Sequence, residues 1–194
     1  MLKKILLLLT LTGALFAQHD ASINLNSDEI ELKGNLDLGE LMQSDYPDMY
    51  FVTVGYLDVD NDESTDPLIE AGFMLRDDIY AIDGLRFGIG FKGNSAEVSG
   101  QNFSSIPLGI ELEYTLPLDF SMPIKLSGTL FYAPSALTFQ DGDRYFEGRM
   151  EASISIIEQA DIFVGYRKID LDFDGWRGDY NYSDDAYVGF RIRF

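Results

Sequence analysis

Catalysis needs a nucleophile, an acid–base group or a bound metal, and the sequence offers few residues for any of them. The chain has no cysteine. That excludes thiol chemistry, disulfides and a lipidated cysteine anchor. The one histidine is His19, close to the N-terminus and outside every predicted strand, where it cannot serve a Ser-His-Asp arrangement. Glu111 and Glu113 share one strand face and form the nearest thing to a carboxylate pair, but neighbouring Arg and Lys side chains make ion pairing the simpler reading. Two acidic runs have metal-like spacing: Asp58, Asp60 and Asp62, and Asp170, Asp172 and Asp174 followed by Gly175. Oxygen ligands at alternate positions before a turn glycine suit a calcium loop. Neither run carries the closing Glu, since Ile69 and Asn181 stand there, and the first has Glu63 where glycine belongs. These six aspartates are expected to bind divalent cations weakly, against the alternative of solvated, self-repelling loops. No enzymatic activity and no cofactor are expected.

The elements that position these residues begin after an export signal. Lys3 and Lys4 precede an apolar run from Ile5 to Phe16, and Ala17 is small enough for cleavage. Residues 1–17 therefore read as a signal peptide, with the bulky Leu15 the one departure from the pattern. The run is too short to span a bilayer core of about 30 Å. The whole chain has a formal charge of −19; losing the two lysines makes it −21. Such an acidic chain excludes nucleic acid as a partner, because phosphates require a basic face.

Past Tyr50 the chain alternates with period two in segments of about ten residues, the length that a tilted strand needs to cross a bilayer. Leu85, Phe87, Ile89 and Phe91 alternate with Arg86, Gly88, Gly90 and Lys92. Ile106 to Leu116 and Ile124 to Leu130 repeat the pattern, and Ala186, Val188, Phe190, Ile192 and Phe194 complete it. Eight strands are counted back from Phe194, near 50–58, 67–76, 84–93, 105–117, 123–132, 144–157, 161–173 and 184–194. The connections alternate between short ones (77–83, 118–122, 158–160) and longer polar ones (59–66, 94–104, 133–143, 174–183). That asymmetry belongs to a transmembrane antiparallel up-and-down β-barrel with periplasmic turns and outer loops.

On this topology the outward aromatics form two girdles. Tyr50, Tyr114 and Phe194 fall at the periplasmic level, and Tyr56, Phe91, Tyr132, Phe146 and Tyr166 at the outer level. The opposite face carries Arg76, Arg86, Lys92, Lys125, Arg149, Arg167, Arg191 and Arg193, interspersed with Glu70, Glu111, Glu113, Glu147 and Glu151. Inside a narrow barrel these must pair with one another, and the glycines on the same face would make room for them.

Two segments resist the count. Ile30, Leu32, Leu36 and Leu38 alternate with charged residues over 29–38, which reads as a ninth strand within the N-terminal segment 18–49. Single-chain bacterial barrels have even strand numbers. Either this segment pairs elsewhere, leaving eight strands in a barrel of residues 50–194, or a tenth strand lies in 18–27 or 39–49. In the 161–173 strand the apolar phase changes from Ile162, Val164 and Tyr166 to Ile169, Leu171 and Phe173, which predicts a bulge near Arg167–Lys168.

The terminal Phe194 on an alternating last strand resembles the signal read by the outer-membrane assembly machinery. Phe131–Tyr132–Ala133–Pro134, Arg144–Tyr145–Phe146–Glu147, Val164–Gly165–Tyr166–Arg167 and Tyr187–Val188–Gly189 resemble the YfaZ family of outer-membrane proteins, most closely over 110–194. The resemblance implies location and fold, and transfers no site. The expectation is therefore an outer-membrane barrel of a Gram-negative cell with a plugged, charge-networked interior and a structural or envelope-stability role. A narrow cation-preferring channel is one alternative, and a barrel binding partners through Trp176, Tyr180 and Tyr182 is another. Expected partners are outer-membrane lipid and lipopolysaccharide, and the assembly machinery through the last strand.

Overall fold

A computed structural model describes residues 19–42, 48–60, 65–118, 122–175 and 179–194. The expected signal peptide lies outside them. Among the described residues there are twelve strands, one short helical turn, α1 (Leu38–Leu41), and a 3₁₀ turn at Ser135–Leu137. The strands are β1 (Asp20–Leu25), β2 (Glu29–Asp37), β3 (Tyr50–Val59), β4 (Leu68–Asp78), β5 (Leu85–Val98), β6 (Gln101–Ser105), β7 (Leu108–Thr115), β8 (Ile124–Ala133), β9 (Thr138–Gln140), β10 (Gly142–Ile157), β11 (Ala160–Phe173) and β12 (Tyr180–Arg193).

Each strand pairs antiparallel with its neighbour, and the order β4-β3-β2-β1-β12-β11-β10-β8-β7-β5 closes on itself through a β4–β5 ladder. The result is a ten-stranded barrel with β6 and β9 outside the ring. This corrects the eight-strand count: 29–37 does pair within the barrel, and the tenth strand is Asp20–Leu25. The closing pair is β1 with β12, Asp20 opposite Arg193 and Leu25 opposite Val188. His19 and Phe194 exchange backbone hydrogen bonds of 3.1 and 2.9 Å beyond it, so the C-terminal residue seals the seam.

The even count keeps both ends of the barrel chain at one rim, here called the terminal end. At the far end, the stretch expected as a loop at 94–104 is a hairpin of β5 with β6. The stretch at 133–143 contributes β9, which extends that hairpin by pairing with β6.

The two faces of the wall exchange polarity along its height. In β5 the outward residues run Leu85, Phe87, Ile89 and Phe91 and then Ser95 and Glu97, while the inward ones run Arg86, Gly88, Gly90 and Lys92 and then Ala96 and Val98. In β11, Ile162, Val164 and Tyr166 face outward, followed by Lys168, Asp170 and Asp172. The inward residues are Asp161, Phe163, Gly165 and Arg167, followed by Ile169, Leu171 and Phe173. The backbone alternation through 167–168 is unbroken, which corrects the predicted bulge. The apolar phase changes because the apolar side chains pass from the outer face to the buried interior while the backbone alternation continues, not because the strand slips. An irregularity occurs nearby on β12, where Ile169 pairs with Ser183 and Asp170 with Asn181.

Inward glycines seat the aromatic rings of neighbouring strands. Phe131 lies over Gly109, Tyr187 over Gly165 and Phe163 over Gly189. A Cβ at Gly189 would stand 2.2 Å from the Phe163 ring and 2.7 Å from the Ile23 carbonyl oxygen, across the closing seam. Gly189→Val is expected to block barrel closure, seen as loss of the protease-resistant folded form, whereas Gly128→Val, whose Cβ would meet nothing nearer than 3.8 Å, should fold normally.

Candidate functional site

The interior is built in three layers. At the far end an apolar cap fills the lumen: Val98, Phe103, Ala133, Tyr145, Ile169 and Leu171 are fully buried, and Phe173 and Tyr182 nearly so. The rings of Phe103 and Phe173 meet edge to face at 5.6 Å. Most of this cap comes from the upper parts of wall strands that continue past the outward apolar belt, and Phe103 is added by β6 of the far-end hairpin.

Beneath the cap lies one connected ion network. Glu31 of β2 takes a bidentate contact from Arg149 of β10, at 2.5 and 2.8 Å, and a third from Arg167 of β11 at 2.7 Å. The Asn24 amide donates to the same carboxylate at 2.5 Å. Arg167 also reaches Glu29 at 2.5 Å and donates to the Ser183 hydroxyl at 3.0 Å. Glu147 accepts from Arg149 Nε and from the Tyr145 hydroxyl, each at 2.6 Å, and pairs with Lys92. Lys92 in turn pairs with Glu70 and stands 4.7 Å from the centre of the Phe131 ring. Lys33 links Glu70 and Glu31 at 3.4 and 3.6 Å. Four carboxylates (Glu29, Glu31, Glu70, Glu147) therefore meet four cations (Lys33, Lys92, Arg149, Arg167), and the charges balance.

Below the network a cavity of about 210 Å³ runs to the terminal end. Its walls continue the pairing: Arg76 with Glu111 at 2.7 Å, Arg191 with Glu151 at 3.0 Å and Lys125 with Glu113 at 3.4 Å. Both members of the Glu111–Glu113 pair are thus engaged by cations from other strands. At the rim Arg193 holds Asp161 at 2.7 Å. His19 is buried at the seam, where its Nδ1 accepts the Asp37 N–H at 3.1 Å and its ring abuts Phe194.

All thirteen charged residues expected on the polar face line this interior. The sequence reading missed Glu29, Glu31 and Lys33 as members, although Glu31 joins more partners than any of the residues it did name. Their alternation was visible; their place in the ring was not, because β1 is only six residues long.

The acidic runs do not converge. Asp58, Asp170 and Asp172 lie at alternate outward positions on their strands, where neighbours on one face stand about 6–7 Å apart. Asp170 pairs with Lys168 at 3.5 Å and Asp172 with Arg144 at 3.2 Å. Burial and the nearby Asp179 carboxylate raise the Asp172 pKa, and the hydrogen bond to Asp179 raises that of Arg144. The Asp60 and Asp174 backbones are tied to Asp28 and Asp141, and Asp62 lies outside the described residues. Among the described residues no cluster of three or more acidic or histidine side chains is placed to hold a metal. Of the loop aromatics, Trp176 lies outside the described residues. Tyr182 is corrected from a surface contact to a cap residue: it is buried, with its hydroxyl donating to the Asp66 carbonyl at 3.0 Å. Tyr180 packs against the same core and hydrogen-bonds Thr65 at 3.2 Å.

A family model described as YfaZ precursor matches residues 15–194. The chain belongs to the YfaZ family. The resemblance therefore extends well beyond 110–194, and a precursor description agrees with an export signal at the N-terminus. No curated protein matches the chain. One solved structure, described as "Unveiling the Mechanism Behind the in-meso Crystallization of Membrane Proteins", is 13% identical, with a TM-score of 0.36 over 91% of this chain and 83% of the other.

Removing one partner from a buried ion pair leaves an uncompensated charge, at a cost of about 3–5 kcal/mol. Arg149→Ala, which leaves the buried network one cation short between Glu31 and Glu147, is expected to lose that much in equilibrium urea unfolding. Lys125→Ala, at a longer pair whose side chains are about one-quarter exposed, should lose less than about 1 kcal/mol.

Proposed function

We propose that this YfaZ-family chain is an outer-membrane β-barrel of a Gram-negative cell, with a closed lumen and a structural or envelope-stability role. The observation that carries the reading is the inverted wall. Through the middle of the barrel Leu, Ile, Val, Phe and Tyr side chains point outward and charges point inward, the reverse of what a water-soluble barrel requires. A closed ring also leaves no strand edge unpaired in a bilayer. Leu108, Tyr132 and Phe146 stand in one row across neighbouring strands with Phe91, which supports the outer girdle. Where the outward face turns polar, the strands would emerge into the outer headgroup region, and the apolar cap would lie above it. On this reading the terminal end faces the periplasm, and the last strand with Phe194 is presented to the assembly machinery.

The cap favours the structural reading over the channel, because an ion would have to cross a dry apolar layer and then a fully paired charge network. It also counts against loop-mediated binding through Tyr180 and Tyr182, whose rings serve the barrel itself. The protein is expected to require detergent for extraction and to migrate faster in gels when unboiled. Planar bilayers containing it should show no reproducible conductance at neutral pH. Recovery in the soluble periplasmic fraction would overturn the membrane assignment, and steady channels would replace the closed barrel with the cation-preferring pore.

A further inference from the structure

The outward belt is not smooth. Across β7, β8, β10, β11 and β12 it dips into an apolar trough of about 950 Å³. Out of the trough stands Met150, at 73% the most exposed large apolar side chain of any described strand. Met150 is opposite Gly128 on the β8–β10 ladder, and the next outward residue above it on β10 is Gly148. A Cβ at Gly128 would meet nothing nearer than 3.8 Å, and one at Gly148 nothing nearer than 3.5 Å. Neither glycine has a positive φ, so nothing within one copy requires glycine at either position. Strand glycine weakens a sheet and marks places where another backbone comes close.

Strand tilt turns the two glycines into a hole at the height of Met150. Followed ladder by ladder from Ala160 through β12 and β1, the register returns to β11 near Asp172. The strands therefore tilt, by about 40°, and lean toward β7 as they rise. At about 4.8 Å between strands and about 3.3 Å per residue, Gly148 lies almost directly above Gly128, about 8 Å away. The midpoint between them is level with Met150 and about 4 Å to its side. A knob beside a hole at one height is self-complementary about a two-fold axis parallel to the barrel, because each copy's knob meets the other's hole.

Charge obeys the same axis. Above Tyr166 the outward residues of β11 are Lys168 and then Asp170, which the tilt places on opposite sides of the axis. Each copy thus sets a lysine against the other's aspartate. Within one chain they pair at 3.5 Å with side chains 38% and 18% exposed, the kind of pair that exchanges readily. The area also suffices. Five strands and a belt of about 25 Å give about 480 Å² per copy in projection, and side-chain relief brings two copies to about 1,200 Å², where stable interfaces begin.

We infer that this face is the interface of a symmetric homodimer, with Met150 of each copy seated between Gly128 and Gly148 of the other. The inference rests on the membrane reading above, which keeps both terminal ends on one side of the bilayer and so fixes the direction of the axis. Between apolar walls in lipid, close packing of this kind is what holds two copies together.

The test is sedimentation equilibrium of the full-length protein folded in a density-matched neutral detergent. Wild type should sediment as a dimer that dissociates on dilution. Gly128→Val/Gly148→Val, which fills the hole, and Met150→Ala, which removes the knob, should each weaken association about tenfold. Val54→Ala, on the opposite wall in β3, should leave it unchanged. Unboiled gel mobility checks that each variant still forms the barrel. A wild-type monomer at every concentration would overturn the dimer, whether lipid, another protein or nothing co-purified on this face. So would association that the folded knob and hole variants do not weaken, or that Val54→Ala weakens equally. A chain that stays folded and soluble without detergent would instead overturn the membrane reading beneath it.

Discussion

Everything inside the barrel answers to one electrostatic constraint: a charge enclosed by a ten-stranded wall has to find its counter-charge on another strand. Burying an unpaired ion costs several kcal/mol even after relaxation, so the inward positions are coupled across the lumen and cannot be chosen strand by strand. Glu31 shows this most directly. Its carboxylate sits on β2, while its two arginine partners come from β10 and β11. Four acids and four bases close that account without a surplus, in a chain whose overall charge is −19. The excess acid is therefore carried elsewhere, largely on the far-end strands and loops and around the terminal rim.

The same constraint explains why the interior is layered. Arginine, lysine and glutamate need space as well as partners, and glycines on adjacent strands provide it by letting Phe131, Phe163 and Tyr187 lie flat against the wall. Above the network the strands keep going, and there the arrangement is that of an ordinary soluble β-structure, apolar inside and polar outside. The exchange of faces within single strands, most clearly in β5 and β11, puts apolar side chains outside the wall at mid-height and inside it at the far end.

Closure depends on the shortest barrel strand. β1 has six residues and pairs with both β2 and β12, so the ring is joined where the ladder is briefest and where His19 and Phe194 complete it. Above Leu25 the β1–β2 hairpin stops, and β12 continues without a β1 partner. Tyr180 and Tyr182 bridge this notch to Thr65, Leu57 and Asp66. That is why two aromatics that look like loop contacts in the sequence are structural.

Much of this was legible in the residues alone. Period-two alternation located most strand bounds to within a few residues and assigned every charged residue of 50–194 singled out for the polar face to the interior, because side-chain direction in a strand is a local property of the backbone. The sequence by itself also determined that the barrel, if closed, should have an even number of strands, and it isolated 29–38 as the segment that made the count odd. It offered 18–27 and 39–49 as places for a tenth strand but could not choose between them: Asp-Ala-Ser-Ile-Asn-Leu is too short and too mixed to announce itself, and becomes a strand because two neighbours hold it. Nor could it tell a slipped strand from a change of surroundings at Ile169, since both reverse the apolar phase in the same way. Which carboxylate meets which guanidinium, and whether an apolar residue lies on the outer face or in the cap, are set by distances between segments remote in the chain. Only the closed tertiary structure decided them.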